Sequence, residues 1–187
     1  MNTATLHEVF LAFREQCIWI RCCYNTYVAL YDSGTETSDL LSEAANIFFG
    51  DLNKILREYW WLQVSKITDP PVSRGRENLT VQHINTLLCS EGLMTAEISS
   101  YSEGLMHYRK LIKEGRDRLI SHLDKESVLK GGPIGDHATE DVTAFLENLQ
   151  RYVDAVGAAV GVGRLDFRVT AGRGDVIDLI AKLKGGV

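Results

Sequence analysis

Arg109, Lys113, Arg116, Asp117, Arg118 and His122 gather the most reactive combination of side chains in this chain into one short stretch. Guanidinium groups grip phosphates through forked hydrogen bonds, and an imidazole near its free pKa both gives and takes a proton at neutral pH. Arg116, Arg118 and His122 fall within about two helical turns of one another. Such a set is a working minimum for cutting RNA without a metal. Helix geometry constrains how the residues share the work. Arg118 and His122, four apart, lie on one face, whereas Arg116 and His122, six apart, diverge by about 120°. Both arginines reach one phosphate only if the helix bends or a second copy of the chain contributes.

The same residues have a plain structural explanation. Arg109, Lys113 and Arg116 follow one another at four and three residues, which makes a basic ridge, and a charge run of that kind is usually a solvated helix face. His122 then pairs with Asp124 or sits at a helix end, where cations are favoured.

Arg116-Asp117, followed by three residues and a small Ser121 before His122-Leu123-Asp124, resembles the signature of the HEPN superfamily of small helical proteins. The earlier run Val64-Ser65-Lys66-Ile67-Thr68-Asp69-Pro70, with Arg76-Glu77-Asn78-Leu79-Thr80 after it, resembles the abortive-infection AbiU-like branch, and the likeness covers roughly Leu6 to Glu126. The resemblance implies a metal-independent endoribonuclease that acts as a toxin or phage-defence effector and needs no cofactor. Within it His122 is the general base or acid, Arg116 stabilises charge on the phosphate oxygens, and Asp117 orients Arg116 or its partner. Arg118, Arg109 and Lys113 are the RNA contacts. The implied partners are RNA, a second copy of the chain joined by a two-fold pairing of the motif helices, and an antitoxin or neutralising protein. Asp124 stands where some members carry a modifiable tyrosine, so that form of control is not supported. The superfamily also contains non-catalytic copies, and a nucleotide- or partner-binding helical module is the alternative; a purely structural helical dimer is the third reading.

Composition narrows the field further. At 187 residues, 45% apolar and 24% charged, the chain reads as one soluble domain able to bury a core without disulfides or metal. A net charge of -5 argues against a general nucleic-acid coat, so any RNA contact must be local. The first residues lack a basic region followed by an apolar one, and no apolar run is long enough to cross a bilayer, which predicts a cytoplasmic protein with no membrane contact. Cys17, Cys22, Cys23 and Cys89 form no CxxC pair and have no histidines at zinc spacing. They read as free thiols, and no metal site is expected. No HExxH, GxSxG or P-loop occurs, which disfavours metallohydrolase, esterase and NTPase chemistry.

The apolar spacing predicts an all-α, up-and-down bundle of four to five helices, with a HEPN-like core over about 6–158 and a C-terminal appendage over 159–187. A first helix spans Leu6 to Tyr31 and stops before Gly34. A second, capped by Thr37 or Ser38, carries Leu41, Ala44/Ala45, Phe48, Leu52, Ile55, Tyr59 and Leu62 on one stripe and closes at Asp69-Pro70-Pro71. The linker between them is too short to join anything but antiparallel neighbours. A polar loop covers Pro71 to Asn78. A short helix follows from Thr80 or Val81 to Ser90, and a fourth runs from Thr95 into the motif. Asp136 or Thr139 opens a fifth, ending near Ala158. Leu165 to Val169 alternates weakly, as a short extended piece would, and Arg173-Gly174-Asp175 reads as a turn capping a last helix over Val176 to Lys184.

Overall fold

The computed structural model describes residues 4–115, 138–169 and 172–185. Helix α1, Leu6–Tyr31, occupies the whole stretch that the apolar spacing marked. Thr5 caps it reciprocally: its hydroxyl accepts the Glu8 N–H, and the Glu8 carboxylate accepts the Thr5 N–H at 2.8 Å. Phe10, Phe13, Cys17 and Ile20 are wholly buried along one side. All four cysteines are free. Burial drives the Cys17 thiol well up and pushes the Cys23 thiol up to about 11, so both stay protonated at neutral pH.

Helix α2, Thr35–Thr68, starts earlier than its hydroxyl residues suggest. Its N-cap is Gly34, at φ 105°, a conformation that costs glycine nothing and lets the chain reverse within a few residues. The helix breaks at Ala45, whose φ of -167° and ψ of 75° are not helical. The break re-phases the apolar stripe. Leu41 is buried before it, but afterwards the inward residues are Phe49, Trp60, Val64 and Ile67, while Phe48 and Ile55 are 61% and 58% exposed. The expected stripe through Phe48 and Ile55 is therefore wrong by one residue, or about 100° of helix rotation. Tyr31 Oη donates to Phe49 O at 2.8 Å and Trp19 Nε1 donates to Tyr59 Oη at 3.0 Å. Residue numbers rise on one helix as they fall on the other, so α1 and α2 are antiparallel.

The stretch expected to be loop contains a small hairpin, β1 Val72–Ser73 against β2 Arg76–Glu77. Arg74 at φ 52° and Gly75 at φ 75° supply the two left-handed residues that a two-residue hairpin turn demands. Helix α3, Val81–Ser90, is capped by the Thr80 hydroxyl, which accepts the His83 N–H at 3.2 Å. Helix α4, Ala96–Gly115, follows. Helix α5, Thr139–Ala159, packs along α4 in the opposite direction. Tyr108 meets Phe145 at 4.9 Å between ring centroids, and a Cβ placed on Gly104 would lie 2.7 Å from Asn148 Cγ, so a larger residue there would have to push the Asn148 side chain aside. Helix α6, Val176–Lys184, is opened by the Asp175 carboxylate, which accepts the N–H groups of Ile177 and Asp178, as the Arg173-Gly174-Asp175 turn predicts.

Six helices and one two-stranded sheet among the described residues make the fold all-α, one helix beyond the four or five expected. The principal core joins α1, the second half of α2, α3, α4 and α5 around Phe13, Trp60, Tyr108, Phe145 and Tyr152. Trp60 anchors it, with Tyr24 at 5.3 Å and Phe145 at 5.8 Å between ring centroids, and its Nε1 donates to Tyr108 Oη at 3.2 Å. Trp60 and the neighbouring Trp61 thus serve packing. A second, smaller cluster sits at the other end, where Leu30, Leu41 and Phe49 meet Val176, Ile180 and Leu183 of α6. No strand forms over Leu165 to Val169; its backbone instead bonds to side chains of α1 and α5.

Candidate functional site

Helix α4 is the stem that carries the basic ridge toward the motif. Its inner face is Ile98, Leu105, Tyr108 and Ile112, each at most 1% exposed. That periodicity, broken only by the small Ser102 and the close-packed Gly104, clamps the helix between α2 and α5 along its length. Thr95 opens it by accepting the Ile98 N–H at 3.2 Å. A helix held on two sides fixes where its outward residues can point.

Arg109 and Lys113 lie on this stem. Lys113 is exposed near the end of the described part of the helix. Arg109 is held differently: its Nη2 donates to Asp69 Oδ1 at 2.9 Å, with the two side chains 22% and 34% exposed. Its Nε is buried and has no hydrogen-bond partner. Asp69 is the C-cap residue of α2. Directly before it, the fully buried Thr68 donates its hydroxyl to Val64 O at 2.8 Å. The Thr68-Asp69-Pro70 sequence therefore stops α2 and also provides the carboxylate that braces α4. Arg109 reaches a phosphate only by sharing or leaving that carboxylate, whereas Lys113 offers its ammonium directly to solvent.

Arg116, Asp117, Arg118 and His122 lie outside the described residues. Of the candidate residues, the structure describes Arg109 and Lys113, and it brings Asp69 to Arg109 from 40 positions earlier in the chain. Sequence reasoning missed Asp69 as a neighbour of the ridge. Its only local sign was a carboxylate at a helix stop ahead of two prolines, and nothing in that pattern names a partner.

Among the described residues no three His, Cys, Asp or Glu side chains converge on a point that could hold a metal ion. No described helix is long and apolar enough to cross a membrane. His7 packs its Nδ1 at 3.3 Å from Val160 O, tying the start of α1 to the end of α5.

No curated protein and no solved structure matches the chain. A family model does, over residues 4–179, which extends beyond the Leu6–Glu126 stretch of the sequence resemblance to take in α5 and the first turn of α6. With nearly its whole length matched to that model, described as AbiU2, the chain belongs to the AbiU2 family of HEPN proteins.

Proposed function

We propose that the protein is a metal-independent endoribonuclease of the HEPN type that acts as a toxin or phage-defence effector in abortive infection. The observation that carries this reading is the Arg116-Asp117…His122 signature in a chain matched to the AbiU2 model along 4–179. His122 takes the proton from the RNA 2′-hydroxyl or returns one to the leaving 5′-oxygen. Arg116 neutralises charge that develops on the phosphate oxygens, and Asp117 orients Arg116. Arg118 and Lys113 guide the strand, and Arg109, braced by Asp69, stiffens the approach and joins them when a phosphate competes for its fork.

The six-residue separation of Arg116 and His122 is bridged at one phosphate by a bend in the helix or by a second motif, and a homodimer supplies the second motif. Apolar residues left in solvent support self-association. Trp19 is 49% exposed and leans on Tyr59, and Ile55 and Phe48 continue outward along the same helix. A stripe of this kind also suits a neutralising protein, which would silence the nuclease by occupying it.

Purified protein should cleave single-stranded RNA in excess chelator and leave DNA intact, because DNA lacks the attacking hydroxyl. His122→Ala should lower the rate by about a hundred- to ten-thousand-fold. Arg116→Ala should do nearly the same, while Arg118→Ala should chiefly weaken binding, most at low salt, and flatten its salt dependence. Equal cleavage by wild type and a folded His122→Ala variant would rule out the assignment. A folded, dimeric protein with no cleavage at all would leave the non-catalytic partner-binding module as the better reading.

A further inference from the structure

Away from the α4 stem, a cleft of about 650 Å³ opens between α1, α5 and the 164–168 segment. Four arginines line it: Arg21 from α1, Arg151 from α5, and Arg164 and Arg168 from the segment. The segment has no regular structure, yet it is firmly mounted. Gln150, 7% exposed, donates from Nε2 to Leu165 O at 3.0 Å and accepts the Phe167 N–H at 3.2 Å. Asn25 donates from Nδ2 to Arg168 O at 3.0 Å, and the Phe167 ring is buried in the main core. Three side-chain bonds and one buried ring therefore hold this wall of the cleft, so its arginines stand on a built surface.

The guanidinium groups differ in how far they are committed. Arg168 is forked onto Asp166, with Nη2 at 2.5 Å from Oδ2, and Arg151 lies 3.6 Å from Glu147. Arg21 gives its Nε to Asn25 Oδ1 at 3.0 Å and stacks over Tyr24 at 5.8 Å from the ring centroid. Among the described residues its terminal nitrogens make no ion pair, and Arg164 makes none through any of its nitrogens. Burial disfavours the charge on Arg21, with Tyr24 and Asp166 acting against that and Arg168 adding to it. Across the lining, four guanidinium groups face the three carboxylates of Glu147, Asp154 and Asp166, which leaves the cleft with an excess of positive charge.

We propose that this cleft binds a small phosphate ester, with Arg21 and Arg164 supplying the uncommitted donors for its phosphoryl group. Two features favour a small ligand over a nucleic-acid strand. Glu147, Asp154 and Asp166 share the lining with the four arginines, so a strand that presents phosphate after phosphate would meet carboxylates as well. The volume also lies within the roughly 300–1,000 Å³ usual for small-molecule sites. The carboxylates suit the rest of such a ligand, because a hydroxylated body offers the donors that they accept. Asp154 is already oriented by Gln150 Nε2, which donates to its Oδ2 at 3.1 Å, while its buried Oδ1 lacks a partner. This site is independent of the Arg116–His122 chemistry and stands or falls separately from it.

Calorimetric titration of the full chain with ribose 5-phosphate, inorganic phosphate, ribose and a short RNA oligomer tests the assignment. Saturable one-to-one binding of ribose 5-phosphate is expected, with weaker binding of inorganic phosphate and none of ribose. Arg164→Gln, an exposed change, should weaken ribose 5-phosphate binding about tenfold or more, as the loss of a charge-assisted contact does. Arg21→Gln should do the same, with folding checked by circular dichroism. The RNA oligomer should bind equally to wild type and Arg164→Gln. Lack of saturation at millimolar ribose 5-phosphate, equal binding of ribose, or unchanged affinity in Arg164→Gln would overturn the proposal. A loss of RNA binding alone in that variant would overturn it too, making the cleft a nucleic-acid groove.

Discussion

Replacing Asp69 with alanine removes the carboxylate that braces the α4 stem and leaves the Arg109 guanidinium, with its Nε already unsatisfied, short of a further partner. A hydrogen bond to a charged group contributes about 1.5–3 kcal/mol. The two side chains here are 22% and 34% exposed, so solvent screens part of the interaction and about 1–2 kcal/mol is expected. For a domain of this size that lowers Tm by about 3–6 °C. Asp69→Asn keeps an oxygen for Arg109 and loses only the charge, so its effect should be about half as large. Thermal unfolding followed by circular dichroism measures both variants. A double-mutant cycle with Arg109→Gln isolates the pair, and a coupling of about 1 kcal/mol is expected. Strictly additive single changes would refute the brace, because two residues that act through one contact cannot be independent.

Two further outcomes follow from other contacts. Gly104→Ala should destabilise by about 1 kcal/mol in urea unfolding, because the new Cβ meets Asn148, whereas in an Asn148→Ala background the same change should stabilise by up to about 1 kcal/mol through helix propensity. Matching effects in both backgrounds would mean that α4 and α5 do not approach as closely as they are drawn. The hydrogen bonds from Arg168 hold the Asp166 carboxyl far below the usual carboxylate range. A depressed folded-state value means that this ion pair contributes its full stabilisation above the unfolded value near pH ~4 and loses it only as the pH falls through the folded value. A carbon-detected titration of the Asp166 carboxyl should therefore show it ionised at a pH where ordinary aspartates are half protonated; a midpoint near pH ~4 would show that the pair does not persist in solution.

Local periodicity was the readable part of this fold. Helix α1 could be bounded from its apolar residues because it is one unbroken helix that buries Leu6, Phe10, Phe13, Cys17 and Ile20 along one stripe. Helices α3 and α6 could be bounded because Thr80 and Asp175 cap them through side-chain oxygens. The break at Ala45 left no such trace, since Ala44 and Ala45 are good helix formers and neither neighbour, Glu43 nor Asn46, is a proline or glycine. Once the helix is re-phased there, a stripe extrapolated from Leu41 falls on Phe48 and Ile55, which face solvent. The hairpin was hidden for a related reason, because Arg74 takes a left-handed conformation that its residue type does not advertise. At the candidate site, the order of Arg109 and Lys113 along one helix was legible, and the Asp69 brace was not, because a contact across 40 residues has no local spacing to betray it. The arginine cleft is assembled from residues 21, 151, 164 and 168, three of them beyond the motif, and only the folded chain brings these together.

The separation of the two apolar clusters makes the molecule mechanically uneven. Helix α6 buries none of its residues completely, and it covers Leu30, Leu41 and Phe49 with three partly shielded side chains and the Lys184–Glu36 contact at 2.9 Å. Opening that end exposes little surface, so amide protons of α6 and of α2 ahead of Ala45 should exchange through a low-energy excursion that leaves the main core closed, while those around Tyr108 and Phe145 should exchange only on global unfolding. The α4 stem belongs to the slow-exchanging part. A partner that grips α6 or the α1–α2 turn could therefore unlatch that end without disturbing the helix that presents Lys113.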